Sequence, residues 1–382
     1  MRKVGIVTYY NIYNYGSLLQ AYALQRIVES LGYKAVIIDY TNMRIKHNLI
    51  MRFLTYINRF IYCLRSPAIL CETIAKKKVS YKTVKSRSSI SREKFKSFII
   101  NKLELSTENY LRADKNGFAA FITGSDQVWQ LNAAGLHELF FLRFAPEQKR
   151  IAYAPSFGGF TIPGFNEKRL KKYLSEIPYI SVRDESGVDV VFKSIGQRVP
   201  QVLDPVILVD NEFWEEEIEN IPIDNNRSLI CYFNSDASWA FNTIDALCQK
   251  FNMEVIWLSS GYPLKGRSYF QYDCDPLEFP AFIKNARFVC TDSLHGTEFS
   301  ILFNVPFFVF DRQYEVVYEQ GTRIDSLLRL ACLEDRLVKS GQVVDIQAAK
   351  DIDFTKTNNN IKTIRVGSLK FLKESLADAI SL

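Results

Sequence analysis

The chain has 382 residues, 47% of them apolar and 24% charged, with a formal net charge of +6. That length exceeds one ordinary core and points to two domains, while the composition is that of a globular chain and excludes a disordered one. The apolar run after Met1 is too short for a secretory leader, and the absence of about 20 consecutive apolar residues argues against a spanning helix. The seven cysteines are odd in number, scattered among apolar residues and without CxxC spacing. Buried free thiols in a reducing cytosol fit that pattern, and neither Cys nor His clusters at zinc-ligand spacing, so no metal is expected.

In chain order, Lys3–Thr8 reads as a buried strand, and residues 9–16 as a loop rich in Asn, Tyr and Gly. Leu18–Leu31 reads as a helix capped by Ser17, with Leu19, Tyr22, Ala23, Ile27 and Leu31 at helical spacing and Gly32 just past its end. Ala35–Asp39 follows as a strand, which makes a βαβ unit, a parallel sheet and a right-handed crossover. The loop leading to Ser17 sits between a strand end and a helix start, but it lacks GxGxxG and so carries no dinucleotide fingerprint.

Between Asn42 and Lys102 fifteen Lys or Arg face only Glu72 and Glu93, a local charge of +13 that leaves −7 for the rest of the chain. Met51–Cys71 mixes Phe, Ile, Leu and Tyr with Arg52, Arg59 and Arg65 and predicts a basic amphipathic helix broken at Pro67. Three readings compete: a solvated helical insertion, peripheral docking on anionic lipid, and, third, nucleic acid. Nucleic acid is disfavoured, because no binding signature accompanies the charge.

Phe118–Thr123 predicts a strand running into Gly124-Ser-Asp-Gln-Val-Trp129. There Asp126 could accept sugar hydroxyls and Trp129 could stack on a sugar face, or the turn could be a capped helix start with a core Trp. Strands follow at residues 150–154 and 180–183, with Asp184 or Ser186 as the next helix cap, and residues 201–208 close this half. Residues 210–227 are acidic and read as a linker. A second α/β series follows: strand 229–234, helix 239–251, strand 254–258, loop and helix 275–286, strand 305–310, a helix from Arg323, and a closing helix near Ser368–Ile380. The expected division is residues 1–210 with an insertion at 42–102, residues 225–355, and a closing helix within 361–382.

The second half is organised around Phe288–Ser300. An apolar strand runs into Asp292 and Ser293, both good N-caps, then Gly296, which permits close backbone approach, then a helix from Thr297. A helix start at the carboxyl end of a parallel strand offers free N–H groups and partial positive charge to an anion. His295, one of only three histidines, lies in that turn. It is either a proton-transfer residue or a hydrogen-bonded structural one.

Five stretches, in order and spacing, resemble the polysaccharide pyruvyl transferases: Asn14-Tyr-Gly-Ser-Leu-Leu-Gln-Ala-Tyr-Ala-Leu-Gln25, Thr123–Trp129, Ser181-Val-Arg-Asp-Glu-Ser186, Leu203-Asp-Pro205 and Thr291-Asp-Ser-Leu-His-Gly296. The resemblance implies an α/β fold of two Rossmann-like domains in a GT-B-like pair. It implies transfer of the pyruvyl group of phosphoenolpyruvate, as donor substrate, onto hydroxyls of a glycan, free or lipid-linked, as a ketal. It also implies that Arg183 and His295 serve that donor. Some members carry Arg two residues before the His. Ser293 stands there in this chain, and Arg323 or a Lys is the candidate replacement. Asn14, Tyr15, Gly16, Ser17, Gln20, Ser125, Asp126, Trp129, Asp292, Ser293, Gly296 and Arg323 are the candidate substrate-binding positions.

The chemistry agrees with those residue types. Arg183 could hold phosphate or carboxylate bidentately, and an imidazolium at His295 could protonate C3. A second hydroxyl then displaces phosphate. No metal or other cofactor enters this scheme. The expected location is cytoplasmic, at the inner face of the membrane. A nucleotide-sugar glycosyltransferase and a non-catalytic sugar-binding protein are the rival readings. The latter keeps Asp126 and Trp129 but has no need of Arg183 and His295.

Overall fold

A computed structural model describes residues 1–40, 88–106, 117–131, 136–162, 164–312 and 322–381. Its described residues form two six-stranded sheets, every adjacent pair parallel. The first contains β1 (Lys3–Val7), β2 (Lys34–Ile38), β3 (Leu105–Ser106), β4 (Phe118–Thr123), β5 (Arg150–Ala152) and β6 (Tyr179–Ile180), in the order β3-β2-β1-β4-β5-β6. The second contains β7 (Ser228–Tyr232), β8 (Glu254–Leu258), β9 (Phe270–Tyr272), β10 (Phe288–Thr291), β11 (Phe307–Phe310) and β12 (Leu337–Val338), in the order β12-β11-β10-β7-β8-β9. Runs such as Phe-Val-Cys-Thr and Phe-Phe-Val-Phe are buried along their whole length because helices cover both faces of a parallel sheet.

Both sheets change direction of growth between their first and fourth strands, at β1/β4 and at β7/β10. Crevices beyond the carboxyl ends of the strands at such switch points are where open α/β sheets place ligands. These are two Rossmann-like domains.

Helix starts differ from expectation by a few residues, for a local reason. The first helix spans Tyr15–Ser30, and Asn14 caps it by accepting from the Ser17 N–H at 3.1 Å. That releases the Ser17 hydroxyl for other work. In the second domain the helix spans Leu294–Leu302 with Ser293 as its cap, so His295 belongs to the first turn rather than preceding the helix. The closing helix runs Phe354–Ser381 and packs back on β4 and β5 of the first domain. Ser368 Oγ accepts from the Leu203 N–H at 3.1 Å, and Arg365 donates to the carbonyls of Ile207 and Val209.

One sequence reading is corrected, and another falls mostly outside the described residues. The acidic stretch after Asp210 is not a bare linker: it forms the helix Asn211–Ile218, with Trp214 fully buried edge-on to Phe299 and donating to the Val206 carbonyl at 2.9 Å. Acidic residues on the outer face of that helix masked its apolar one. Most of the basic block, with its amphipathic stretch, lies outside the described residues. Its last helix, Ser89–Lys102, is a packed strut. Phe95 and Phe98 are buried, Lys94 pairs with Glu278 at 2.9 Å, and Lys102 pairs with Glu217 at 2.8 Å.

Candidate active site

The two domains meet at helix N-termini, and a buried polar cluster forms there. Asp126 follows β4, Arg183 and Asp184 follow β6, Asp204 precedes the short helix Pro205–Leu208, and His295 and Glu298 lie on the helix after β10. All six are at most 7% exposed. Arg183 is the hub. Its Nη1 donates to Asp204 Oδ2 at 2.6 Å, while Nε and Nη2 lie 3.6 Å from Asp184 Oδ1 and 3.9 Å from Asp126 Oδ1. Each carboxylate is braced: Ser17 Oγ donates to Asp126 at 2.5 Å, Ser125 Oγ to Asp204 at 2.7 Å, Ser156 Oγ to Asp184, and the Val206 N–H to Asp204 at 3.0 Å.

Against this bonded frame, four buried polar atoms lack hydrogen-bond partners among the described residues: Arg183 Nε and Nη2, His295 Nε2 and Glu298 Oε2. Arg183, Asp204, Glu298, Leu294 and Arg323 line a common cavity, and His295 Nε2 is 3.9 Å from Asp204 Oδ2. Buried polar groups left this way ordinarily have a ligand or water to satisfy them. Asp204, His295 and Glu298 bring potential metal-ligand atoms within 4.8 Å of one another. The cation beside Asp204, however, is the Arg183 guanidinium.

The electrostatics separate the titrating groups. Burial alone would raise Asp126, but the Arg183 guanidinium and the Ser17 hydroxyl outweigh it and hold the carboxyl below its usual range. Arg183 is pushed the opposite way: burial lowers it, yet Asp204, Asp184 and Asp126 raise it further. Burial pushes His295 down, against the pull of Asp204 and Asp126, so the imidazole stands neutral. Burial, then Asp204, drives Glu298 far up, which favours its neutral form.

Several candidate positions do other work. Tyr15 is fully buried, stacks on Phe279 with centroids 4.9 Å apart, and donates to the Ser259 carbonyl at 3.2 Å, pinning the first domain to the second. Gln20 is buried and donates to Thr8 Oγ1 at 2.9 Å and to the Ser17 carbonyl at 2.8 Å, bracing the loop after β1. Trp129 offers no sugar platform: it is 0% exposed, lies parallel to Phe141 with centroids 5.0 Å apart and donates to the Phe140 carbonyl, a core residue. Asp292 ties its own domain together, accepting from the Asn234 N–H at 2.7 Å and the Ser235 hydroxyl at 2.6 Å. Gly296 is required by close packing, since a Cβ there would sit 2.8 Å from Thr291 Oγ1.

Asn14 and Ser293 act as caps, and Ser17 and Ser125 orient carboxylates. Arg323 lines the cavity, with the Gln127 amide oxygen accepting from its Nε at 3.0 Å once that amide is oriented to satisfy both groups. Asp204 and Glu298 were missed as site residues. Glu298 had a signal in its spacing, because residues three apart share a helix face, and Asp204 was present in the Leu203-Asp-Pro205 motif without a role.

Among solved structures, the chain resembles the Methanocaldococcus jannaschii UDP-GlcNAc 2-epimerase in complex with UDP-GlcNAc and UDP. The two are 10% identical with TM-score 0.46 over 96% of this chain and 99% of that one. The S. aureus MnaA–UDP co-structure matches at 10% identity and TM-score 0.44, over 92% and 87%. The E. coli ADP-heptose LPS heptosyltransferase II matches at 8% and 0.36, over 96% and 99%. No curated protein matches the chain. A family model described as polysaccharide pyruvyl transferase matches residues 14–314, a span that holds Asp126, Arg183, Asp204, His295 and Glu298, and the chain belongs to that family.

Proposed function

We propose that the protein transfers the pyruvyl group of phosphoenolpyruvate onto two hydroxyls of a sugar in a bacterial surface polysaccharide or its lipid-linked precursor, leaving a pyruvate ketal. The observation that carries this reading is the convergence of Arg183 Nε and Nη2 and His295 Nε2, all buried and without hydrogen-bond partners, at the start of the Leu294–Leu302 helix. Phosphoenolpyruvate brings a carboxylate and a phosphate. A fixed guanidinium, helix N–H groups and Arg323 meet those charges. His295 moves protons at the reacting centre, and the three carboxylates around Arg183 hold the guanidinium in place.

The acceptor enters over Asp126, which Ser17 and Arg183 hold in place, and two neighbouring hydroxyls on one sugar are required to close a ketal. The part of the basic segment that precedes the packed Ser89–Lys102 helix, residues 44–87, brings the protein to an anionic bilayer surface at the cytoplasmic face, where a lipid-linked glycan would be met. Titration calorimetry with phosphoenolpyruvate and, separately, with nucleotide sugars tests the donor. Binding of the former and phosphate release in the presence of a sugar diol are expected. Binding of nucleotide sugars alone would replace this reading with glycosyl transfer.

A further inference from the structure

His295 and Glu298 lie one turn apart on one helix; Glu298 lines the cavity, His295 Nε2 stands 3.9 Å from Asp204, which also lines it, and each presents an atom without a hydrogen-bond partner among the described residues. The helix supplies no cation for Glu298. Around it stand Asp204, Asp184 and Asp126, with His295 beside them, and the cations are Arg183 and Arg323. Arg183 already faces three carboxylates, and among the described residues the one it hydrogen-bonds is Asp204. A fourth buried carboxylate, 1% exposed and without a hydrogen-bond partner at Oε2, would add an uncompensated charge. The neutral acid avoids that cost and turns Glu298 into a stored proton facing the donor cavity.

We propose that Glu298 is the acid that protonates C3 of the donor and that His295 is the base that takes the proton of the attacking hydroxyl. This rests on phosphoenolpyruvate being the donor. Sites that push two titrating groups in opposite directions divide acid and base work in this way. In the first step the O–H bond of Glu298 breaks, and the C2=C3 π pair forms the new C3–H bond, turning the methylene into a methyl group. The acceptor oxygen bonds to C2, and its proton passes to His295 Nε2. In the second step the C2–O bond to phosphate breaks, with the His295 proton leaving on phosphate. The second hydroxyl bonds to C2, and its proton returns to the Glu298 carboxylate. Both side chains end as they began, and the products are the ketal and hydrogen phosphate.

Three measurements test this on the whole 382-residue chain. Infrared difference spectra between wild type and Glu298→Gln should show the carbonyl stretch of a neutral carboxylic acid at neutral pH, lost in the variant. Calorimetry should show Glu298→Gln binding phosphoenolpyruvate much as wild type does. Phosphate release with phosphoenolpyruvate and a panel of p-nitrophenyl hexosides as diol probes should fall at least about 100-fold in Glu298→Gln, with part of it restored in Glu298→Asp, because general acid catalysis is worth that much. A missing infrared band, or turnover of Glu298→Gln near that of wild type, would overturn the assignment while leaving the donor intact. Failure of wild type to bind phosphoenolpyruvate would overturn the donor reading, and with it the destination of the proton, even if the infrared band is present.

Discussion

Gly16 of the first domain lies directly against the imidazole of His295 in the second. A Cβ built on Gly16 would sit 1.9 Å from His295 Nδ1 and 2.2 Å from Cγ. Those separations are far inside van der Waals contact, so only glycine lets the start of the Tyr15–Ser30 helix back the ring. The His295 side chain is thus placed by a residue from the other domain.

Gly16→Ala should displace the ring and cost about 1–3 kcal/mol, the usual range for overpacking. Urea unfolding reads the stability, and phosphate release from phosphoenolpyruvate reads the position of the ring. His295→Ala, which leaves room for that Cβ, should lose roughly 10²–10⁴-fold in turnover, and in its background Gly16→Ala should cost little further stability. Equal destabilisation in both backgrounds would mean that the ring is not what Gly16 accommodates.

Removing Arg183 outright would strand three buried carboxylates, and breaking such a buried pair costs about 3–5 kcal/mol. Arg183→Lys is the more informative change. It keeps the charge opposite Asp204 but loses the planar fork that also reaches toward Asp126 and Asp184. The variant should fold, as circular dichroism will show, and bind phosphoenolpyruvate much more weakly by calorimetry. Unchanged affinity would assign the anion contact elsewhere.

The two shifted groups on the His295 helix act on stability in opposite pH windows. Glu298 is raised above its usual 4.5, so its contribution is fully present below that value and is lost as pH rises toward the folded pKa. His295 is lowered below its usual 6.5, so its contribution is present above 6.5 and is lost as pH falls below it. Glu298→Gln should therefore melt higher than wild type at about pH 8 and lose part of the alkaline decline. Melting temperatures collected across pH decide this, and an alkaline decline identical to wild type would refute a neutral Glu298.

For the basic segment, co-sedimentation with phosphatidylglycerol and phosphatidylcholine vesicles separates lipid docking from a solvated face. Each engaged Lys or Arg contributes about 1 kcal/mol at an anionic surface, and 1 M salt, with a Debye length of ~3 Å, should release the protein. Lys94 and Lys102 are held by Glu278 and Glu217, so neutralising them should leave vesicle binding unchanged. Neutralising Lys76, Lys77 and Lys78 together should weaken it. Binding indifferent to lipid charge and salt would leave the solvated reading.

Much of this protein was legible in the sequence because the signals are local. Buried parallel strands are short apolar runs, and β4 and β8 span the residues the sequence predicts, Phe118–Thr123 and Glu254–Leu258. Asp126, Arg183 and His295 all sit just past strand ends, where sheet topology puts chemistry. The acidic helix around Trp214 escaped notice because its buried apolar face is framed by glutamates.

What only the tertiary structure decided is which polar residues face the cavity and which are consumed by packing. Trp129 and Tyr15 have the chemistry of sugar platforms, yet neighbouring rings and carbonyls use both. Conversely, Asp204 and Glu298 come from distant segments, and their roles arise only when folding brings them to Arg183. Protonation is decided at the same level. Whether His295 or Glu298 carries a proton depends on desolvation and on neighbouring charges, and both exist only once the two domains have closed around them.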